Sequence, residues 1–274
     1  MESRHVLITG AAGFIGGACV KEFVGRGWHA TALVHRRSNE RLDNLERNGQ
    51  VDILRASISN RDELFRVLRQ YSQKTGIKFD AIVNCAGRAS DIGSDRLFRE
   101  ANLRGVENLI ECVREFHIGR LVQISTTDVY GISDFTNLAE DAPLANNRRN
   151  PYPKYKILAE KLIRANLLPE KYVILRPAAV WGPGDTTLMP RILSFLKSTP
   201  VIIHFGKWKG RNVWHLAYIE NVARMAYAAT ISDEALGNAF NVADREKTTI
   251  DEYYRMLLSV FFPGKNIRSV TLPF

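Results

Sequence analysis

The chain opens on "HVLITGAAGFIGG", an apolar run of strand character that breaks at Gly10, Gly13 and Gly16 before helical spacing sets in. Glycines at such a junction allow a tight turn and a close backbone approach, so a pyrophosphate can rest on the N–H groups at the helix start. The same alternation continues along the chain. "ATALV", "VDILRA", "DAIVNCA", "RLVQIS" and "YVILRP" read as strands, while "GGACVKEFVGRG", "RDELFRVLRQYSQKTG" and "ENLIECVREFH" carry apolar residues at helical intervals. This pattern predicts an α/β fold: a parallel sheet with helices on both faces, its strands continuously apolar because both sides are covered. Past Pro177 the pattern loosens and "WGPGD" reads as a loop. Residues 1–176 are therefore expected to form a dinucleotide-binding domain and residues 177–274 a smaller, mainly substrate-binding part, with segments that return to the first domain. The closing "VTLPF" has no capped final element, from which we expect a native C-terminal segment beyond it.

With 45% hydrophobic and 24% charged residues, a chain of 274 has ample material for a core. No stretch approaches about 18 consecutive apolar residues, and "MESRHVLITG" has no charged leader before an apolar region, so a cytoplasmic protein without a membrane anchor is expected. Cys19, Cys85 and Cys112 are widely spaced in apolar surroundings, which suits buried thiols in a reducing compartment. His204 and His215 lack partner spacing for a metal, and none is expected. The net charge of +9 favours anionic ligands. In "GKWKGRNVWH", Trp208 and Trp214 alternate with basic residues as in a stacking platform for nucleic acid. No nucleic-acid motif accompanies it, and we read the basic surface as solvated.

A second constraint is "NPYPKYK", Asn150 to Lys156. Prolines 151 and 153 suit the entry and first turn of a helix, where a missing N–H costs nothing, and "KILAEKLIRANL" continues with helical periodicity. Tyr152 and Lys156 then share a face, four residues apart, whereas Tyr155 meets only Ala159 at that spacing. A free tyrosine ionises near pH ~10, so proton transfer at neutral pH needs positive charge nearby. Lys156 is placed to supply it.

The glycine spacing is G-x-x-G-x-x-G. Together with "NCAG", "ANLRGVENLIECV", "LVQISTTDVYG", "PYPKYK", "LRPAAVWGPGD", "YIENVA" and "FNVAD", in this order, it makes nearly the whole chain resemble the extended branch of the short-chain dehydrogenase/reductase superfamily. That branch contains NAD(P)-dependent epimerases, dehydratases and 3β-hydroxysteroid dehydrogenases. The resemblance implies a Rossmann-type, doubly wound parallel sheet with a smaller C-terminal substrate-binding part. It implies Thr126, Tyr152 and Lys156 as the catalytic set, Lys156 also bonding the nicotinamide ribose, with Asn102 of "ANLRG" on the helix bordering the active site. Ser125 and Thr127 are alternative hydroxyls that could bond local backbone, and Asn102 could do the same. Tyr155 stands where the family usually has serine, which would narrow the pocket.

For the cofactor, the resemblance implies contacts from Gly10, Gly13, Phe14, Ile15 and Gly16 at the first turn, and from Cys85, Ala86 and Gly87 after the fourth strand. It adds Lys156, Pro177 and Val180. Ser57, beside Ile58, replaces the family's aspartate facing the adenine. At the end of the second strand an acidic residue would bind the ribose 2′-OH, but "TALVHRRS" offers His35, Arg36 and Arg37. NADP is therefore the expected cofactor, NAD the alternative. Where nucleotide-sugar members carry an arginine before the "YIENVA" segment, this chain has Trp214 and His215, with Asn212 six residues before Tyr218 as in the 3β-hydroxysteroid and sterol-dehydrogenase branch. An aromatic lining suits an apolar alcohol better than a diphosphate; packing of Trp214 into a core is the other reading. We expect an NADP(H)-preferring oxidoreductase acting on a secondary alcohol or ketone. The alternatives are a nucleotide-sugar epimerase or dehydratase, and a non-catalytic NADPH sensor or RNA-binding relative. Family members commonly pair through two long helices, which implies a homodimer.

Overall fold

A computed structural model describes residues 4–89, 93–131, 137–146, 150–205 and 207–272. The chain divides into two compact units, Met1–Pro177 with Glu220–Val242, and Ala178–Ile219 with Ala243–Phe274. The first begins β1 (His5–Thr9), α1 (Phe14–Gly25), β2 (His29–Val34), α2 (Glu40–Arg47), β3 (Val51–Arg55), α3 (Arg61–Thr75) and β4 (Ala81–Asn84). Then α4 (Asp95–Arg99) runs through a π-helical turn (Glu100–Arg104) into α5 (Gly105–Glu115), followed by β5 (Arg120–Ile124), α6 (Pro151–Asn166) and β6 (Tyr172–Pro177). The chain crosses to the second unit for β7 (Ala179–Trp181), α7 (Leu188–Ser198), β8 (Val201–Phe205), β9 (Val213–Trp214) and β10 (Leu216–Tyr218). It returns for α8 (Ile219–Ile231) and β11 (Ala239–Val242), and ends on β12 (Thr248–Thr249), α9 (Ile250–Phe261) and β13 (Arg268–Leu272).

In the first unit seven parallel strands lie in the order β3-β2-β1-β4-β5-β6-β11. Side chains alternate across each strand, so Leu7, Leu33, Ile82, Leu121 and Ile174 form one face and pack with Leu68 of α3, Leu109 of α5 and Ile163 of α6. The opposite face buries Ile8, Ala32, Val83 and Val122 without exposure. Its helices are α1 and α8, joined through Phe23 and Tyr227, whose rings stand 5.4 Å apart. This is a doubly wound Rossmann-type sheet. Chain order reverses between β1 and β4, and open sheets of this kind bind ligands at the carboxyl ends of the strands flanking such a reversal.

Three polar side chains tie those strand ends together. Thr9 Oγ1 donates to Asn84 Oδ1 at 2.6 Å, and Asn84 Nδ2 to Gln123 Oε1 at 2.8 Å. All three are buried, so their satisfied bonds fix the register where the loops depart.

The second unit has its own core of Ile192 and Leu196 from α7, Tyr253, Leu257 and Leu258 from α9, and Ile267. Trp214 packs edge-on against Tyr253, centroids 5.3 Å apart, in the packing role left open above. Trp208 is 40% exposed with Lys207 over its ring. Among the described residues no helix is long and apolar enough to cross a membrane.

Candidate active site

After Thr9 the chain turns at Gly10, whose φ of +63° lies in the left-handed region glycine favours. A Cβ there would sit 2.8 Å from the Ala86 backbone, and one on Gly16 only 2.2 Å from the Gly10 carbonyl. The first loop, the first turn of α1 and the loop after β4 are thus packed backbone to backbone. Helix α1 starts at Gly13, which offers no capping side chain, and its first turn holds no carboxylate. Its orphan N–H groups and positive dipole end are therefore left for an anion.

These residues border a cleft of about 630 Å³, inside the range of small-molecule and cofactor sites. Gly10, Ala12 and Gly13 form one side; His35–Arg37 after β2, Ala56–Ser59 after β3, and Cys85–Arg88 after β4 complete it. The loop after β2 is anchored by Asn39, which caps α2 and donates to the Ala12 carbonyl at 3.1 Å. Cradle, uncapped helix and basic loop fit a dinucleotide. Ser57 shares a 2.9 Å hydrogen bond with Ser59, and Ile58 packs where Gly105 has no side chain: a Cβ there would meet the Ile58 Cδ1 at 2.4 Å. Gly105→Ala is expected to push Ile58 into the cleft and weaken binding of the nicotinamide dinucleotide about tenfold in a fluorescence titration, with secondary structure unchanged by circular dichroism.

Tyr152 and Lys156 are carried by α6. Asn150 caps it, accepting from the Tyr152 N–H at 3.1 Å, while Pro151 and Pro153 occupy first-turn positions. Tyr152 is half-buried, and burial pushes its phenol up to about 12, helped by the Asp128 carboxylate and opposed by the neighbouring Thr126 hydroxyl. Thr126 Oγ1 accepts from the Asp128 N–H at 3.2 Å, which leaves the hydroxyl proton for the phenol. Lys156 is 7% exposed and donates to the Ile124 carbonyl at 2.8 Å. Burial draws its ammonium down to about 8, with Cys85 and Glu160 acting in the other direction. The Nζ would stand 3.5 Å from a Cβ on Gly87, so the lysine reaches the cleft wall from behind.

The neighbours sort themselves by their bonds. Ser125 donates to Glu160 at 2.5 Å and is spent there, leaving Thr126 as the hydroxyl at Tyr152. Asn102, in the π-turn, uses both ends of its amide on the Arg88 backbone, at 2.7 and 3.0 Å. It positions the loop that carries Gly87, as a helix asparagine bonding backbone does. Tyr155 is buried and donates to Asp95 at the start of α4, with Lys154 on the other carboxylate oxygen at 2.8 Å; the tyrosine fastens two helices together.

Gly10, Gly13, His35, Arg36, Arg37, Ser57, Ile58, Cys85, Ala86 and Gly87 are thus gathered around one cleft. Gly16 packs behind it, and Phe14 and Ile15 lie half-buried in the first turn of α1 outside the lining. Pro177 ends β6, and Val180 belongs to β7 of the second unit. Sequence reasoning missed the apolar liners Ala12, Leu33, Val34, Ala56 and Leu97, and with them Ser59, Arg88, Glu100 and Ala101. Ser59 follows the expected Ser57 by one turn of loop, but nothing in the sequence marks the π-turn that presents the last two.

The chain is 28% identical over 81% of its length to the sterol-4-alpha-carboxylate 3-dehydrogenase, decarboxylating, of Schizosaccharomyces pombe, and spans 63% of that relative's length. It is 28% identical to the 2-alkyl-3-oxoalkanoate reductase of Stenotrophomonas maltophilia, covering 93% of this chain and 74% of that one. The fold is that of the dTDP-glucose 4,6-dehydratase from Bacillus anthracis in complex with NAD, with a TM-score of 0.79 and 21% identity over 98% of this chain and 85% of that chain. Residues 6–243, from the strand before the glycine cradle to the end of the sheet, match a single family model, and the chain belongs to the NAD dependent epimerase/dehydratase family.

Proposed function

We propose that this chain is an NADP(H)-preferring oxidoreductase that interconverts a ketone and a secondary alcohol, and that its substrate is a 3-oxo or 3-hydroxy acid substituted at carbon 2. The observation that carries the reading is the Tyr152 phenol, held neutral beside the Thr126 hydroxyl, one helical turn from an ammonium behind a glycine-lined cleft. A nicotinamide bound in that cleft supplies the hydride for reduction and accepts it in the reverse direction. The chain's own residues handle the proton. Tyr152 donates to the carbonyl oxygen as that oxygen gains negative charge, and Thr126 orients the oxygen by turning its hydroxyl from the phenol. Lys156 opposes the charge left on the phenolate. One of its three N–H donors is held by the Ile124 carbonyl, which fixes the ammonium and leaves two for ribose hydroxyls.

The two enzyme relatives support the acid substrate. A sterol 4-carboxylate oxidised at carbon 3 and a 3-oxoalkanoate alkylated at carbon 2 both place a carboxylate one carbon from the carbon bearing oxygen. A net charge of +9 favours such an anion. The nucleotide-sugar reading draws on the fold of the dehydratase. A panel of 2-alkyl-3-oxoalkanoates and of dTDP- and UDP-sugars, assayed with NADPH and NADH, separates them. Net oxidation of NADPH by the keto acids is the expected result; isomerised or dehydrated sugar with the cofactor returned unchanged would replace the reading.

Preference for the 2′-phosphate is assigned to Arg36 and Arg37, exposed at the cleft where no carboxylate follows β2 before Glu40. The Arg36→Ala, Arg37→Ala double variant is expected to raise the Kd for NADPH about tenfold or more and leave NADH unchanged, because charge-assisted bonds to a phosphate contribute ~1.5–3 kcal/mol.

A further inference from the structure

The end of β5 is fastened to α6 by three successive residues. The Ile124 carbonyl accepts from Lys156, Ser125 donates to Glu160, and the Thr126 hydroxyl lies beside the Tyr152 phenol. Residues 152, 156 and 160 are spaced one helical turn apart, so the strand end is stitched along one stripe of the helix. The deepest stitch is an ion pair. Glu160 is 1% exposed and Arg176, on β6, is 2% exposed. Arg176 Nε reaches Glu160 Oε1 at 3.1 Å and its Nη2 reaches Oε2 at 2.6 Å, while Nη1 donates to the Tyr130 hydroxyl at 2.6 Å and the Glu140 carbonyl at 2.8 Å. Tyr130 passes the chain on to Asn241 at 2.8 Å.

Such a pair is a poor device for stability alone, since well-packed apolar residues of the same volume serve as well or better. What apolar residues would not do is choose between two adjacent hydroxyls. Thr126 has an extended backbone, so successive side chains here turn to opposite sides, and fixing Ser125 on Glu160 leaves Thr126, also buried, on the side of Tyr152.

We propose that Glu160, locked by Arg176, is a positioning residue of this active site: it holds Ser125 inward so that Thr126 faces Tyr152, and it places a carboxylate one turn behind the Lys156 ammonium. The proposal rests on the reading of Tyr152 and Lys156 given above. Around Lys156 the groups that face it are Glu160 from its own helix, the Cys85 thiol from the loop after β4, and the Ile124 carbonyl from β5. Around Glu160 they are Arg176 from β6 and Ser125 from the segment that follows β5. Removing the Glu160 charge deprives the ammonium of its negative partner and leaves Arg176 uncompensated, so Lys156 should lose its proton at lower pH.

The test compares wild type, Glu160→Gln and Ser125→Ala by competitive acetylation with acetic anhydride across pH, the Lys156 peptide being followed by mass spectrometry, with thermal melts to confirm folding. In Glu160→Gln the midpoint for Lys156 is expected to move down by about one pH unit, and in Ser125→Ala, which keeps the carboxylate, to stay in place. Turnover of a 2-alkyl-3-oxoalkanoate with NADPH should fall about tenfold in both, through kcat, with the KM for NADPH unchanged. An unshifted midpoint in folded Glu160→Gln, or wild-type kcat in Ser125→Ala, overturns the proposal; if Glu160→Gln does not fold, Ser125→Ala decides, because Glu160 there keeps Arg176. Tyr152→Phe is run alongside: full turnover in that variant defeats the functional reading, whereas its loss beside an unaltered Glu160→Gln defeats the positioning role alone.

Discussion

Replacing Tyr152 by phenylalanine is expected to lower turnover about 10³-fold while leaving the Kd for NADPH within about twofold of wild type. The substitution removes one oxygen. Asn150 still caps α6 through the backbone of residue 152, and Thr126 keeps its bond from Asp128. The cofactor contacts proposed above, from the cradle, the basic loop and Lys156, do not use the phenol. The pH dependence follows from the same surroundings. With the phenol pushed up to about 12, the protonated donor persists through neutral pH, which suits ketone reduction. Lys156 is what fails first: its folded value of about 8 is below the ordinary 10.5, so the charge that opposes the phenolate is lost as pH rises through about 8. Reduction should therefore decline above that point. Stability has the opposite slope. Between about 8 and 10.5 the unfolded chain binds the proton that the folded lysine has released, so this group favours folding increasingly as pH rises, by about 3 kcal/mol over the whole window. Turnover falling while the Lys156 contribution to the thermal midpoint rises separates loss of the ammonium from loss of the fold. A Tyr152→Phe variant that keeps turnover would remove the phenol from the mechanism.

How much of this could be read from the residues depended on how far apart the interacting partners lie. Strands β1 to β6 are legible because a sheet covered on both faces demands unbroken apolar runs, and α1, α3 and α5 because each carries an apolar stripe. Helix α2 escapes such reading: of its eight residues only Leu42 is buried, and Leu42 with Leu45 makes an apolar stripe only two side chains long. The stretch from Asp95 to Glu115 reads as a helix only from Glu107, since the π-turn that carries Asn102 leaves no periodic trace. In the second unit, strands of two or three residues are too short for any period to register. At the active site, the Tyr152 and Lys156 pairing is local to one helix and could be seen in seven letters. Thr126 over Ser125 could be read only from the family resemblance and not from the local residues, because the bond that occupies Ser125 comes from Glu160, 35 positions downstream, itself held by Arg176 on another strand.

Gly16→Ala should reduce NADPH affinity about a hundredfold and lower the thermal midpoint, although alanine is the best helix former and Gly16 lies inside a helix. The reason is what its methyl group would strike. A Cβ at 16 lies 2.2 Å from the Gly10 oxygen, 2.7 Å from the Gly10 carbonyl carbon and 2.9 Å from the Ala11 Cα, all backbone atoms with no rotamer to yield. The loop cannot retreat freely either, because Gly10 abuts the Ala86 backbone on its far side. Relief must therefore shift α1, the first loop or the Cys85–Gly87 loop, and all three shape the cleft. Gly17 makes the matched control. A Cβ there meets only the Ala11 carbonyl, at 3.5 Å, an ordinary contact, so Gly17→Ala should bind NADPH normally and gain up to ~1 kcal/mol from helix propensity. Fluorescence titration and thermal melts of the two variants therefore isolate close backbone packing from helix preference, one residue apart on the same turn. Wild-type affinity in folded Gly16→Ala would mean that the cradle tolerates a side chain, and that the third glycine is not what brings the backbone close enough to hold a pyrophosphate.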